Sequence, residues 1–152
     1  MQEFKVLMVD DEEDFVTTLA ERVKMRDLHS EVALNGEQAL ERMQEDVPDV
    51  MVLDLKMPGI DGMEVLKRVR QAYPEVQVIV LTGHGTDKDE DEALRLGAYA
   101  YLQKPVAIEK LVKTMKDAYK NKVEASMVAA TFAQAGDFDT ARQIMADEDK
   151  KK

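Results

Sequence analysis

Short apolar runs of strand length alternate along this chain with longer stretches whose apolar residues recur at helical spacing. Phe4 to Val9 is nearly continuous in apolar character and ends at Asp10. That is the pattern of a central strand covered on both faces. Phe15, Leu19 and Val23 then form one helical stripe. Glu31 to Leu34 reads as a second strand, Val50 to Leu53 as a third ending at Asp54, and Val76 to Leu81 as a fourth ending at Thr82. Tyr99 to Leu102 is a short fifth strand before Lys104 and Pro105. Asn35 with Gln38, and Asp61 with Glu64, have the spacing of capping boxes that open helices. Thr86 begins an acid-rich helix that stops at Gly97, and Ile108 begins the next. Five strands alternating with five helices predict an α/β domain with a doubly wound parallel sheet, because parallel neighbours need crossover connections.

After about Asn121 the alternation ends. Glu124 to Ala135 keeps a helical pattern, Gly136 interrupts it, and Asp137 is placed to cap another helix through Met145. The division is therefore a domain over 1–121, a helical hairpin over 122–149 and a disordered lysine tail over 150–152. Phe132, Gly136 and Ala141 have spacings that resemble one tetratricopeptide-type hairpin, but a single copy cannot bury the core such arrays need.

Composition narrows the function classes. The chain has 152 residues, of which 45% are hydrophobic and 34% charged, which suits one globular domain with a short appendage and leaves no room for a separate effector domain. Cysteine is absent, which excludes disulfides and thiolate metal sites. No apolar run reaches membrane-spanning length and no export signal is visible, so a cytoplasmic protein is expected. The formal charge of -10 opposes a phosphate backbone, so no direct nucleic-acid binding is expected.

The chemistry-bearing residues lie at strand ends. Open parallel sheets bind ligands beyond the carboxyl ends of their strands. Asp10 and Asp11 follow the first strand, Asp54 the third, Thr82 the fourth and Lys104 the fifth. Taken singly, each has an ordinary reading as a helix cap, loop acid, turn residue or solvated charge. Together they place three carboxylates, a hydroxyl and an ammonium on one edge, a set whose hard oxygens suit Mg²⁺ and whose cations suit a phosphoryl group.

The segments "VLMVDDEEDF" (Val6 to Phe15), "VLDLKMPGIDG" (Val52 to Gly62), "VLTGHG" (Val80 to Gly85) and "AYAYLQKP" (Ala98 to Pro105) resemble the receiver domains of two-component response regulators, the CheY-like family. The resemblance runs from about Phe4 to Tyr119 and implies a flavodoxin-like strand order of 2-1-3-4-5. It implies that Asp54 accepts a phosphoryl group from a sensor histidine kinase or a phosphotransfer protein. Asp11, Asp54 and the backbone carbonyl of Lys56 would ligate Mg²⁺, with Asp10 acting through coordinated water. Lys104 would pair with phosphoryl oxygens, Thr82 would close on them, Tyr101 would be the switch aromatic, and the Lys104–Pro105 peptide would be cis. The domain would then be a phosphoacceptor with slow self-dephosphorylation rather than a conventional enzyme. It would signal to a downstream protein through the face of the fourth helix, fifth strand and fifth helix, or through the hairpin. A homodimer is compatible with either.

Some residues depart from the family pattern or admit two readings. Lys56 and His84, each two residues beyond a site residue, are either tuners of phosphoryl lifetime or exposed loop side chains. Ala107 stands where an acidic cap often opens the last helix, a loss of about 1 kcal/mol. The acidic stretch Asp87 to Glu92 is a solvated helix start favoured by the dipole, with partner recognition as the alternative. Met43, Met51 and Met115 are expected as core filler. A flavin or nucleotide binder of similar fold should carry a glycine- or hydroxyl-rich phosphate loop where this chain has "DDEED". A haloacid-dehalogenase-type phosphatase should carry its nucleophile after the first strand and be larger. A degenerate scaffold receiver should lack part of the Asp10, Asp11, Asp54, Thr82, Lys104 set.

Overall fold

The computed structural model describes residues 4–134. Five strands, β1 (Lys5–Val9), β2 (His29–Ala33), β3 (Val50–Leu53), β4 (Gln77–Thr82) and β5 (Ala100–Gln103), form one parallel sheet in the order β2-β1-β3-β4-β5. Between and after them run α1 (Glu13–Lys24), α2 (Gly36–Glu45), α3 (Gly62–Ala72), α4 (Asp87–Arg95) and α5 (Ile108–Gln134). The fold is the expected doubly wound α/β sheet. Strands β1, β2, β4 and β5 differ by one or two residues from their expected bounds, the ordinary uncertainty of reading ends from pattern.

Period-two alternation explains how the continuous apolar strands serve two cores at once. Val6, Met8, Val50, Val52, Ile79 and Leu81 face one way and pack with α1 and α5 through residues such as Val16, Val23, Leu111 and Met115. Leu7, Val9, Met51, Leu53, Val78 and Val80 face the other way, against α2, α3 and α4 through Met43, Val65, Leu66 and Ala93. Met43, Met51 and Met115 are fully buried, as expected of core filler. Truncating any one of them to alanine should cost about 2–5 kcal/mol.

The helix starts differ from expectation in detail. Asn35 accepts from the Gln38 N–H, but the Gln38 side chain accepts from Leu34 N–H rather than from the cap residue. Asp61 accepts from the Met63 N–H, and Glu64 pairs with Arg68 one turn on (2.9 Å) instead of reaching back. Neither is a complete capping box, because another donor takes the glutamine or glutamate. The complete box is at α4, where Thr86 and Asp89 exchange side-chain and backbone hydrogen bonds.

Helix α5 crosses residues 121–122 without a break. The first arm of the expected hairpin is thus a continuation of the last helix of the α/β unit. The second arm, 137–145, and the lysine tail lie outside the described residues. Asn121 donates to the Gln77 side chain and Lys122 pairs with Asp49 at 2.6 Å, tying α5 to the amino-terminal edge of the sheet where it passes beyond it.

Candidate functional site

The carboxyl edge of the sheet is where buried charge collects. Asp10 follows β1 and is 4% exposed; Asp54 follows β3 and is 5% exposed; Thr82 ends β4 and is fully buried. Register sets this convergence, since Val9 pairs with Leu53 and Val80 with both Leu53 and Tyr101. Beyond β5, Lys104 reaches back across the edge. Its backbone N–H donates to the Thr82 carbonyl, and the Lys104–Pro105 peptide is cis.

The Lys104 ammonium sits among three carboxylates, 2.7 Å from Asp10, 3.1 Å from Glu12 and 3.4 Å from Asp54. The Phe15 ring lies on another side of it, with its centroid 4.3 Å away. Oxygens of Asp10, Glu12 and Asp54 all fall within 4.8 Å of one another, so three formal negative charges face one positive charge. Burial pushes the Asp10 carboxyl above the ordinary carboxylate range, and the hydrogen bond from Lys104 only partly offsets this. Burial also works against charging Lys104, but the hydrogen bond and charge of Asp10, with the charge of Asp54, outweigh it and hold the ammonium above the ordinary lysine range. The two partners of one ion pair both move upward, Asp10 chiefly because it is buried, with the Asp54 charge adding to this, and Lys104 because Asp10, Asp54 and Glu12 surround it. Adding a proton or a cation relieves the excess of acid.

The donor set fits a hard divalent cation. Its ligands are oxygens, they are few enough to leave room for water, and their charge is not neutralised by the single lysine. Asp11 is exposed and lies outside this group, whereas Glu12 lies in it. Sequence reasoning missed Glu12. Its backbone N–H donates to Asp10 Oδ1 at 2.9 Å, which fixes the start of α1 and directs the next acid of the run toward the site. The run of acids in "DDEED" signals that some of them reach the site, but not which.

The β3–α3 turn holds Asp54 from below. The Lys56 N–H donates to Asp54 Oδ1 at 3.3 Å. At Gly62 a Cβ would lie 2.5 Å from both the Asp54 carbonyl oxygen and the Leu55 Cα, so only glycine lets α3 begin this close to the end of β3. The Lys56 side chain leans toward α4, 3.8 Å from Asp89. Thr82 Oγ1 accepts from the His84 N–H at 3.5 Å. Tyr101 is turned inward beside Thr82, over Gly85, where any Cβ would overlap the Tyr101 hydroxyl. That hydroxyl is buried without a hydrogen-bond partner. Burial raises its pKa, and Asp89, Glu90, Asp87 and Asp54 add to the shift.

A fold of this topology, with an acid group and a part-buried lysine at its carboxyl edge, defines a class, and comparison with known proteins gives its family. The model of the response regulator receiver domain matches residues 6–116, and the chain belongs to that family. It is similar to a putative response regulator described as NtrX-like from Rickettsia felis, with 37% identity over 120 residues, covering 78% of this chain and 25% of the relative. It is also similar to the response regulator MprA of Mycobacterium avium, with 33% identity over 132 residues, covering 85% of this chain and 58% of that protein. The chain thus spans about a quarter to over half the length of these relatives. A CheY-like receiver domain protein from Methanospirillum hungatei JF-1 superposes with a TM-score of 0.78 over 81% of this chain and 98% of that one. At 22% identity, this likeness concerns the fold alone. The chain is a response-regulator receiver domain of the two-component type. Among the described residues, no helix is long and apolar enough to cross a membrane.

Proposed function

We propose that Asp54 is the phosphoacceptor of this receiver domain, taking a phosphoryl group from a phosphohistidine on a sensor histidine kinase or a phosphotransfer protein. The observation that carries this reading is the buried Asp54 carboxylate at the end of a central strand, 3.4 Å from the Lys104 ammonium and within an over-acidic group. An Asp54 oxygen attacks phosphorus in line, the phosphorus–nitrogen bond breaks, and its electron pair returns to the histidine ring. Little covalent work is asked of the protein beyond positioning and charge neutralisation. Lys104 neutralises phosphoryl oxygens, and the Lys56 backbone N–H keeps the carboxylate oriented. Mg²⁺ bound at the acid group would neutralise charge on the incoming phosphoryl group. Asp54 and the acids of the β1–α1 turn would hold it, with the family resemblance assigning Asp11 and the Lys56 carbonyl as direct ligands and Asp10 through water. Water later cleaves the acyl phosphate and returns the free carboxylate.

Phosphorylation adds about 1.5 to 2 negative charges at Asp54. Thr82, next to the site and bonded only weakly through Oγ1, is placed to turn toward them. The unpartnered Tyr101 hydroxyl beside it marks an aromatic whose position depends on that threonine. The output is a two-state change of the α4–β5–α5 face presented to a downstream protein. The extension of α5 beyond the sheet offers a second route to a partner or a second copy. Lys56 and His84, each two residues beyond a site residue, tune how long the phosphoryl group survives.

The test is labelling by radioactive acetyl phosphate with Mg²⁺. Asp54→Asn should abolish incorporation while leaving the thermal unfolding transition intact. Full labelling of that variant would overturn the assignment.

A further inference from the structure

Lys104 is surrounded by four groups, and they differ in what a bound cation does to them. Asp10, Glu12 and Asp54 are carboxylates whose oxygens form the cation-holding group. A divalent ion placed there competes with the ammonium for the same oxygens and repels it. The fourth group is the Phe15 ring, 4.3 Å from Nζ, which has no lone pair to offer a hard cation.

Phe15 is well fixed for this purpose. It is the third residue of α1, partly buried against the core on the α1–α5 side. The start of that helix is fixed in turn by the Glu12 N–H bonded to Asp10. Lys104 comes from the opposite direction, its backbone hydrogen-bonded to the end of β4. The ammonium is thus held between two rigid elements, and one of its contacts is indifferent to the metal.

We infer that Phe15 is a positioning residue for Lys104: its ring face retains the ammonium beside Asp54 when a divalent cation occupies the carboxylates. The inference rests on the phosphoacceptor reading of this site. Lys104 would otherwise be expelled toward solvent at the moment it is needed, because the same ion that neutralises the incoming phosphoryl group removes its counter-ions. The ring face attracts a cation through its quadrupole, so the interaction weakens as ring electron density is withdrawn, while the shape of the side chain hardly changes.

The experiment uses the full chain and two readouts. First, the Lys104 ε-methylene protons, located by NMR against a Lys104→Arg reference, should carry a ring-current upfield shift that persists when Mg²⁺ is added and vanishes in Phe15→Leu. Second, the affinity for beryllofluoride at saturating Mg²⁺ should fall by about two- to five-fold in Phe15→Leu. It should also fall stepwise through mono-, di- and trifluorinated phenylalanine at position 15, with no parallel change in unfolding midpoint. An ε-methylene shift that is absent, or that disappears on adding Mg²⁺, overturns the inference. So does a beryllofluoride affinity indifferent to ring fluorination. A chain that binds no beryllofluoride at all, yet keeps the shift with Mg²⁺, would sink the phosphoacceptor reading and leave the lysine seat standing.

Discussion

The two edges of the sheet use the same residue types to opposite ends. At the amino-terminal edge, Asp49 accepts from the Lys5 backbone N–H at 2.9 Å and from Lys122 at 2.6 Å, and Asp46 pairs with the Lys5 ammonium at 2.7 Å. Each acid there has a cation of its own, and the bonds fasten β1 and α5 to the loop before β3. At the carboxyl-terminal edge one lysine is shared by three acids, two of them almost wholly buried. The first arrangement is finished; the second lacks positive charge. Excess buried acid costs stability in the resting chain; on the phosphoacceptor reading proposed above, the same excess would attract a cation and, with it, a phosphoryl group.

That contrast can be broken most directly at Lys104. Lys104→Met should lower stability in urea by about 3 kcal/mol, since it leaves buried carboxylates without their counter-ion. Millimolar Mg²⁺ should restore most of the loss. No recovery with Mg²⁺ would mean that the carboxyl edge does not accept a divalent cation in place of the ammonium. At the other edge, Asp49→Ala should cost about 1–2 kcal/mol by leaving the Lys5 N–H and Lys122 without their acceptor. Mg²⁺ should restore none of it. Equal rescue at both edges would erase the distinction.

The smallest effect sharpens the comparison by reversing its sign. Tyr101→Phe removes a buried hydroxyl that has no partner, and should raise stability by about 1 kcal/mol. Because burial raises the folded-state pKa of Tyr101 above its ordinary value of about 10, the neutral form carries its full contribution below pH 10. That contribution is lost as pH rises through the raised value, so Tyr101→Phe should fall less steeply than the parent above pH 10. A matching fall in both chains, followed by urea denaturation across that range, would place the hydroxyl in contact with solvent.

Much of the site was readable from strand ends. Asp10, Asp54, Thr82 and Lys104 each follow or close an apolar run, and parallel register brings such positions to one edge whatever the helices do between them. Glu12 was not readable in this way. It follows the strand by three residues, inside a run of acids, and its direction depends on the dihedrals that start α1 and on one oxygen of Asp10. The same holds for Gln38 and Glu64: spacing alone suggested capping boxes, but local competition with Leu34 N–H and Arg68 decided their partners. The pairing of Gly85 with Tyr101 joins a loop glycine to an aromatic sixteen positions on, and no local pattern announces it.

By itself, then, the sequence determined what depends on periodicity and on the order of elements. These are the two-faced strands, the helices between them, and the delivery of acids, threonine and lysine to the carboxyl edge. The tertiary structure alone decided how the charges there are balanced: which further acid of the run reaches Lys104, that one ammonium serves three carboxylates, and that an aromatic ring lies against it. The physical reason is range. Burial and helix period are set by neighbours in the chain, whereas the electrostatics of a buried cluster are set by groups up to 94 positions apart, as in the Asp10–Lys104 pair.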